Sequence, residues 1–272
     1  MLSFKFPVAI FTSVLLLLIT IPAISFKSVK NSGLSQEFID SASVPKTPLN
    51  KQATQFVKKY IQDNDVCLEA VKQKGTVAFP LIDSILSKHD LPVQLKYLAV
   101  VESELNSKAV SRVGAVGPWQ FMPATAKVLG LKVNSKYDER KNLKKSTRAA
   151  AIYLRDLYSQ YGDWLLVLAA YNSGPGPVNS AIRRSGSRNF WKLQYHLPAE
   201  SRQHVKKYIA THYYFEGEGG VTTLTKSENI KFAEAMAVWA AKQEKTNVNN
   251  QPTVAENPVA TDSSSRKIVA LK

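Results

Sequence analysis

From Phe56 to Tyr213 the apolar residues of this 272-residue chain recur at spacings of three and four, with almost no alternation of period two. Such spacing builds one apolar face on an α-helix. Phe56, Tyr60 and Ile61 mark one short amphipathic helix, and Ala78 to Lys88, with Phe79, Ile82, Ile85 and Leu86, marks another. Pro92 suits the first turn of a helix that runs through Leu95 and Leu98 to about Leu105. Ser146 or Thr147 is placed to cap a helix carrying Ala150, Leu154, Leu157 and Tyr161. Asp163 caps the next, Trp164 to Tyr171, which Asn172-Ser173-Gly174-Pro175 must end. Pro198 opens another through Val205, Ile209 and Tyr213, and only Val221-Thr222-Thr223-Leu224 reads as extended. The predicted class is all-α.

The ends of the chain read differently. Lys5 precedes an uncharged run from Phe6 to Phe26, and about 20 apolar residues suffice to span a bilayer. Pro22 followed by Ala23-Ile24-Ser25 matches the small-x-small end of a secretory signal. Lys27 and Lys30 after the run count against a stable anchor with its N-terminus inside. Residues 1–25 are therefore expected to be a signal peptide, with a retained N-terminal membrane anchor as the second reading. Either places the chain in the periplasm or cell envelope, held at the inner membrane by residues 6–26 if the run is kept. Residues 26–48, rich in Ser, Lys, Pro and Asn, read as a linker. Residues 244–272 contain no aromatic residue and are expected to be a disordered tail. The folded unit is thus about residues 49–243, with a monomer as the expected state.

With 36 Lys+Arg against 21 Asp+Glu, the net charge of +15 calls for a polyanionic partner. The basic stretch Lys132, Lys136, Arg140, Lys141, Lys144, Lys145 and Arg148 is interrupted by Asp138 and Glu139, and reads as a solvated face. That reading, with export, argues against nucleic acid as a partner. The lone Cys67 excludes an internal disulfide and a cysteine metal cluster, and between Val66 and Leu68 it reads as a small core residue. His196, His204 and His212 recur every eight residues, so each is rotated by about 80° from the last on a helix and the three share no face. Gly217-Glu218-Gly219-Gly220 follows a helix and not a strand, which removes a dinucleotide-binding reading. No metal or organic cofactor is expected.

Leu95, Leu98, Glu102 and Leu105 put a carboxylate on an otherwise apolar stripe. Burial raises a carboxyl pKa, and a carboxyl kept protonated near neutral pH is what a general acid requires. Periodicity alone does not separate Glu102 from Glu104, which shares a face with Tyr97, Val100 and Val101. Downstream, Gly114-Ala115-Val116-Gly117-Pro118-Trp119-Gln120-Phe121-Met122-Pro123 sets an aromatic, an amide and a thioether in a turn-prone loop. Such a loop can line a sugar site; the plainer reading, a structural loop anchored in the core by Trp119, is the stronger one on these residues alone.

Taken together, Glu102-Ser103-Glu104-Leu105, Ala109-Val110-Ser111 and the Gly114–Pro123 loop resemble the catalytic core of the family 1 lytic transglycosylases. These enzymes have a goose-type-lysozyme fold. Ala149-Ala150-Ala151-Ile152-Tyr153-Leu154, Gly162-Asp163-Trp164 and Ala169-Ala170-Tyr171-Asn172-Ser173-Gly174-Pro175-Gly176 follow in the family's order. Leu197-Pro198-Ala199-Glu200-Ser201-Arg202 is similar to its last motif. The Gly-x-Trp-Gln form is most similar to the membrane-bound D branch. The resemblance covers about residues 79–215. It implies a lysozyme-like catalytic domain there, an N-terminal helical extension over 49–78 and a C-terminal helical extension over 216–243.

The resemblance also implies roles. Glu102 matches the single catalytic acid/base, and Ser103 the serine that assists the substrate's acetamido group or the glutamate. Gln120 and Met122 match residues lining the sugar cleft, Tyr171 and Asn172 the pair facing the glutamate and the N-acetyl sugar, and Glu200 the acidic residue of the last motif. Ser173 replaces the usual Ala, Ser201 replaces Thr, and His204 stands where the family carries Tyr. The implied activity is non-hydrolytic cleavage of the β-1,4 bond between N-acetylmuramic acid and N-acetylglucosamine in peptidoglycan glycan strands, leaving 1,6-anhydro ends. Ordinary glycosidases use two carboxylates, about 5–5.5 Å apart for retention or about 6.5–9.5 Å for inversion; here the pattern nominates one. The alternatives are a hydrolytic muramidase sharing Glu102 and a cell-wall-binding protein without activity.

Overall fold

The computed structural model describes residues 44–249. Nine α-helices lie within them: α1 Lys51–Lys88, α2 Lys96–Ser103, α3 Pro123–Val128, α4 Leu143–Tyr161, α5 Trp164–Ser173, α6 Pro175–Ser185, α7 Phe190–Leu193, α8 Ala199–Glu216 and α9 Lys226–Asn249. Extended pairing among the described residues is limited to the isolated bridges Val110–Val116, Val116–Phe121 and Val133–Asp138. The class is all-α, as expected. The presumed signal or anchor and most of the presumed linker fall outside the described residues. Among those described, no helix is long and apolar enough to cross a membrane.

Helix α5 is the hub. Trp164 through Ala170 are all buried, and a helix apolar on every side must be enclosed. It packs against α4, α6 and α8, while α8 also packs against α1 and α2. Asp163 caps α5 as its sequence position predicts, with Oδ1 accepting from the Leu165 amide at 3.0 Å. Its Oδ2 accepts from the Lys226 amide at 2.7 Å, so one carboxylate serves the starts of α5 and α9. Thr225 and Glu228 complete the start of α9 as a capping box: the Thr225 amide donates to Glu228 Oε2 at 2.8 Å, and the Glu228 amide donates to Thr225 Oγ1 at 3.3 Å.

Several expectations are corrected. The two short helices at Phe56 and Ala78 are one 38-residue helix, so the boundary drawn between residues 78 and 79 falls inside α1. Leu68, Val71, Gly75, Ala78 and Ile82 carry its buried face; Gly75 and Pro80 hid that period because both usually break helices. The cap of α4 is Asn142, whose Oδ1 accepts from the Lys145 amide at 2.9 Å. Ser146 and Thr147 lie inside α4 and are fully buried. Residues 221–223 form a 3-10 turn, not a strand: no partner strand is present among the described residues, and the Tyr208 hydroxyl engages Thr222 Oγ1 at 2.9 Å. Residues 244–249, expected in the disordered tail, belong to α9; 250–272 lie outside the described residues. Arg140 is buried, unlike the rest of its basic stretch, and Cys67 is only half-buried.

Candidate active site

Helix α2 ends abruptly just past Glu102. Glu104 and Leu105 both take left-handed backbone conformations, with φ of 54° and 61°. Their amides return to the Val100 and Ala99 carbonyls at 2.8 and 3.3 Å. Two consecutive side-chain-bearing residues in that region are strained, at about 1–2 kcal/mol each. The turn leaves Glu102 on the last helical turn facing a cleft, while Glu104 is exposed. The two carboxylates therefore differ in placement: Glu102 lines the cleft and Glu104 does not.

The loop after α2 folds on itself. The Gly117 amide donates to the Ala109 carbonyl at 2.9 Å, and the Val116 amide to the Phe121 carbonyl at 3.1 Å. Trp119 is fully buried and its indole N–H donates to Thr147 Oγ1 at 2.9 Å, so it anchors the loop in the core. The buried Arg140 fastens the loop from beneath, donating to the carbonyls of Gly114 at 2.9 Å and Phe121 at 3.0 Å. Asp138 completes the arrangement with a two-point contact to the guanidinium at 2.9 and 2.8 Å. That guanidinium holds the Asp138 carboxyl below its ordinary range.

The cleft has a volume of about 400 Å³, within the range of small-ligand sites. Glu102, Gln120, Met122, Tyr171, Asn172 and Glu200 all line it, six of the seven residues expected at the site. Ser103 is not among the lining residues: its hydroxyl donates to the Pro118 carbonyl at 2.9 Å and fastens α2 to the loop. Gln120 sits at φ 48°, and its side-chain Nε2 donates back to the Gly117 carbonyl at 2.8 Å. Tyr171 donates to the Trp119 carbonyl at 2.8 Å. Burial, and then the neighbouring Glu102 charge, push the Tyr171 hydroxyl well above its ordinary pKa, which keeps it a donor. Asn172 Oδ1 accepts from Ser201 Oγ at 2.8 Å, joining the end of α5 to the first turn of α8.

The sequence reading missed one contact and several walls. His204 Nε2 lies 2.9 Å from Glu102 Oε1, with both side chains mostly shielded from solvent. His204 is four residues past Glu200, which puts the two on one face of α8; that spacing, and not the eight-residue spacing of the histidines, is the local signal for it. Phe121, Tyr153 and Thr125 also line the cleft. Tyr153 and Tyr171 pack at 5.5 Å between ring centroids. Among the described residues no group of three or more His, Cys, Asp or Glu side chains is arranged to hold a metal.

Comparison with known proteins agrees with this architecture. Residues 81–194 match the family model described as the transglycosylase SLT domain. The chain is 36% identical over 168 residues to the membrane-bound lytic murein transglycosylase D of Escherichia coli K12, covering 60% of this chain and 36% of that protein. It is 32% identical over 131 residues to the soluble lytic murein transglycosylase of the same strain, covering 44% of this chain and 20% of that one. The chain thus spans about a third or less of the length of these relatives. In fold, it is similar to the 70-kDa soluble lytic transglycosylase solved in complex with bulgecin A, with a TM-score of 0.50 at 23% identity, covering 67% of this chain and 33% of that one. Residues 81–194 are thus similar in sequence to the transglycosylase SLT domain, and the chain is similar in fold to a solved lytic transglycosylase.

Proposed function

We propose that this protein is a peptidoglycan lytic transglycosylase that uses Glu102 as its only acid/base. The observation that carries the reading is a mostly shielded carboxyl, Glu102, at the wall of a 400 Å³ cleft inside the matched domain. Glu102 first protonates the glycosidic oxygen between N-acetylmuramic acid and N-acetylglucosamine. The N-acetyl carbonyl of the muramyl sugar stabilises the cation developing at C1. The ionised Glu102 then removes the proton from the muramyl C6 hydroxyl, whose oxygen bonds to C1. One C–O bond breaks, one forms, the carboxyl is regenerated, and no water is consumed. The acid of the first step is the base of the second. Tyr171 and Asn172 orient the N-acetyl sugar, and Gln120 and Met122 line its path.

Glu200, a second carboxylate on the same cleft, favours one competing reading. A muramidase would use it to activate water. Digestion of isolated sacculi, with products read by mass, separates the two. Lytic cleavage gives 1,6-anhydromuramyl ends, lighter by one water than reducing ends, and Glu200→Gln retains most of the rate. Reducing ends, with activity lost in Glu200→Gln, overturn the lytic reading.

The protein acts as a monomer on glycan strands at the cell envelope, exported by residues 1–25 or held at the membrane by residues 6–26. The charge of +15 serves adhesion to the carboxylates of peptidoglycan stem peptides. Binding to sacculi accordingly weakens as salt rises through the range where the Debye length falls to about 8 Å and below.

A further inference from the structure

The contact between Glu102 and His204 joins residues far apart in the chain, through the packing of α2 on α8. Oε1 is the Glu102 oxygen that holds this bond. The other ring nitrogen of His204, Nδ1, is buried without a hydrogen-bond partner. A proton on Nδ1 would bury an N–H with nothing to accept it, and orphaned buried N–H groups are rarer in folded proteins than orphaned acceptors. The ring proton therefore belongs on Nε2, which makes His204 the donor and Oε1 the acceptor.

Resting on the reading of Glu102 as acid/base, we propose that His204 is a positioning residue that divides the labour between the two carboxyl oxygens. Nε2–H occupies Oε1 throughout the cycle, so Oε2 is the oxygen that delivers the proton to the glycosidic oxygen and later takes one from the C6 hydroxyl. Fixing Oε1 also fixes the plane of the carboxyl, because His204 is shielded on a long helix and cannot follow a moving partner. A glutamate without that donor samples rotamers in which the proton sits on the wrong oxygen or points away from the bond to be cut. Such a loss slows the chemical step without weakening sugar binding.

The test uses the full chain and soluble oligomers of alternating N-acetylglucosamine and N-acetylmuramic acid. Steady-state kinetics are measured for His204→Phe, His204→Gln and His204→Asn, with thermal unfolding of each. Removing the donor in His204→Phe lowers kcat by about tenfold or more at near-constant KM, the expected size for a hydrogen bond to a charged group. The Gln amide nitrogen reaches the position of Nε2, so His204→Gln recovers most of kcat. The Asn amide reaches only the position of Nδ1, so His204→Asn stays slow although it folds; this pair decides the matter even if His204→Phe does not fold. Equal rates for Gln and Asn, or wild-type kcat in a folded His204→Phe, overturn the positioning role while leaving the lytic reading intact. A wild-type protein that binds these oligomers and never cleaves them overturns the acid/base reading, and this proposal with it.

Discussion

The Tyr171 hydroxyl donates to the carbonyl of Trp119 at 2.8 Å, across 52 residues of sequence, and ties the last turn of α5 to the loop that walls the cleft. Trp119 is itself held by Thr147, so the loop hangs between α4 and α5. Removing the hydroxyl in Tyr171→Phe leaves the Trp119 carbonyl without its donor, at a cost of about 1–3 kcal/mol. Urea unfolding is expected to show that loss, and kcat/KM on glycan oligomers to fall with it because Gln120 and Phe121 follow Trp119 directly. Unchanged stability and activity would mean that the loop does not depend on this bond.

Two glycines of the same loop offer a matched comparison. Gly114 and Gly117 have φ of 88° and 85°, a region that side-chain-bearing residues avoid. A Cβ at Gly114 meets nothing within 4 Å, whereas one at Gly117 would lie 2.0 Å from the Arg140 carbonyl oxygen. Gly114→Ala should therefore cost only the backbone term, about 1–2 kcal/mol. Gly117→Ala should cost clearly more and lower turnover as well, because it pushes the loop off Arg140. Equal losses in urea unfolding would show that the close approach at Gly117 carries no weight.

Much of this arrangement is legible in the sequence, and the exceptions share a cause. Asp163 and Pro198 announced their helices because caps act within one turn of the chain. The lining residues Glu102, Gln120, Met122, Tyr171, Asn172 and Glu200 followed from motif resemblance, which encodes tertiary placement indirectly. Arg140 looked like one more solvated charge, since nothing local shows that the carbonyls of Gly114 and Phe121 lie above its guanidinium. The start of α4 is hidden in the sequence because Ser146 and Thr147 are good capping residues that here serve burial and Trp119. The pairing of Glu102 with His204 depends on how α2 meets α8, a relation that no periodicity within either helix contains.

Acid stability should report on His212. Burial, the largest influence, pushes its imidazole down from 6.5 to about 4; the Glu216 charge acts the other way, and the Lys96 charge adds to the lowering. The folded protein thus refuses a proton that the unfolded chain accepts. This contribution is complete above about pH 6.5 and is lost as pH falls through about 4, to a total of about 3 kcal/mol. Melting of wild type and His212→Leu between pH 7 and 4 should show a steeper fall for the wild type. Parallel curves would contradict the assignment.

In the proposed function one carboxyl, Glu102, performs both proton transfers. The most direct measurement is the rate at which Glu102→Gln releases anhydromuropeptides from isolated sacculi, with sacculus binding measured on the same samples. A positioned acid/base contributes about 10²–10⁴-fold, so release should fall by at least that factor while binding stays near the wild-type level. Release of anhydromuropeptides by Glu102→Gln at a rate close to wild type would contradict the account.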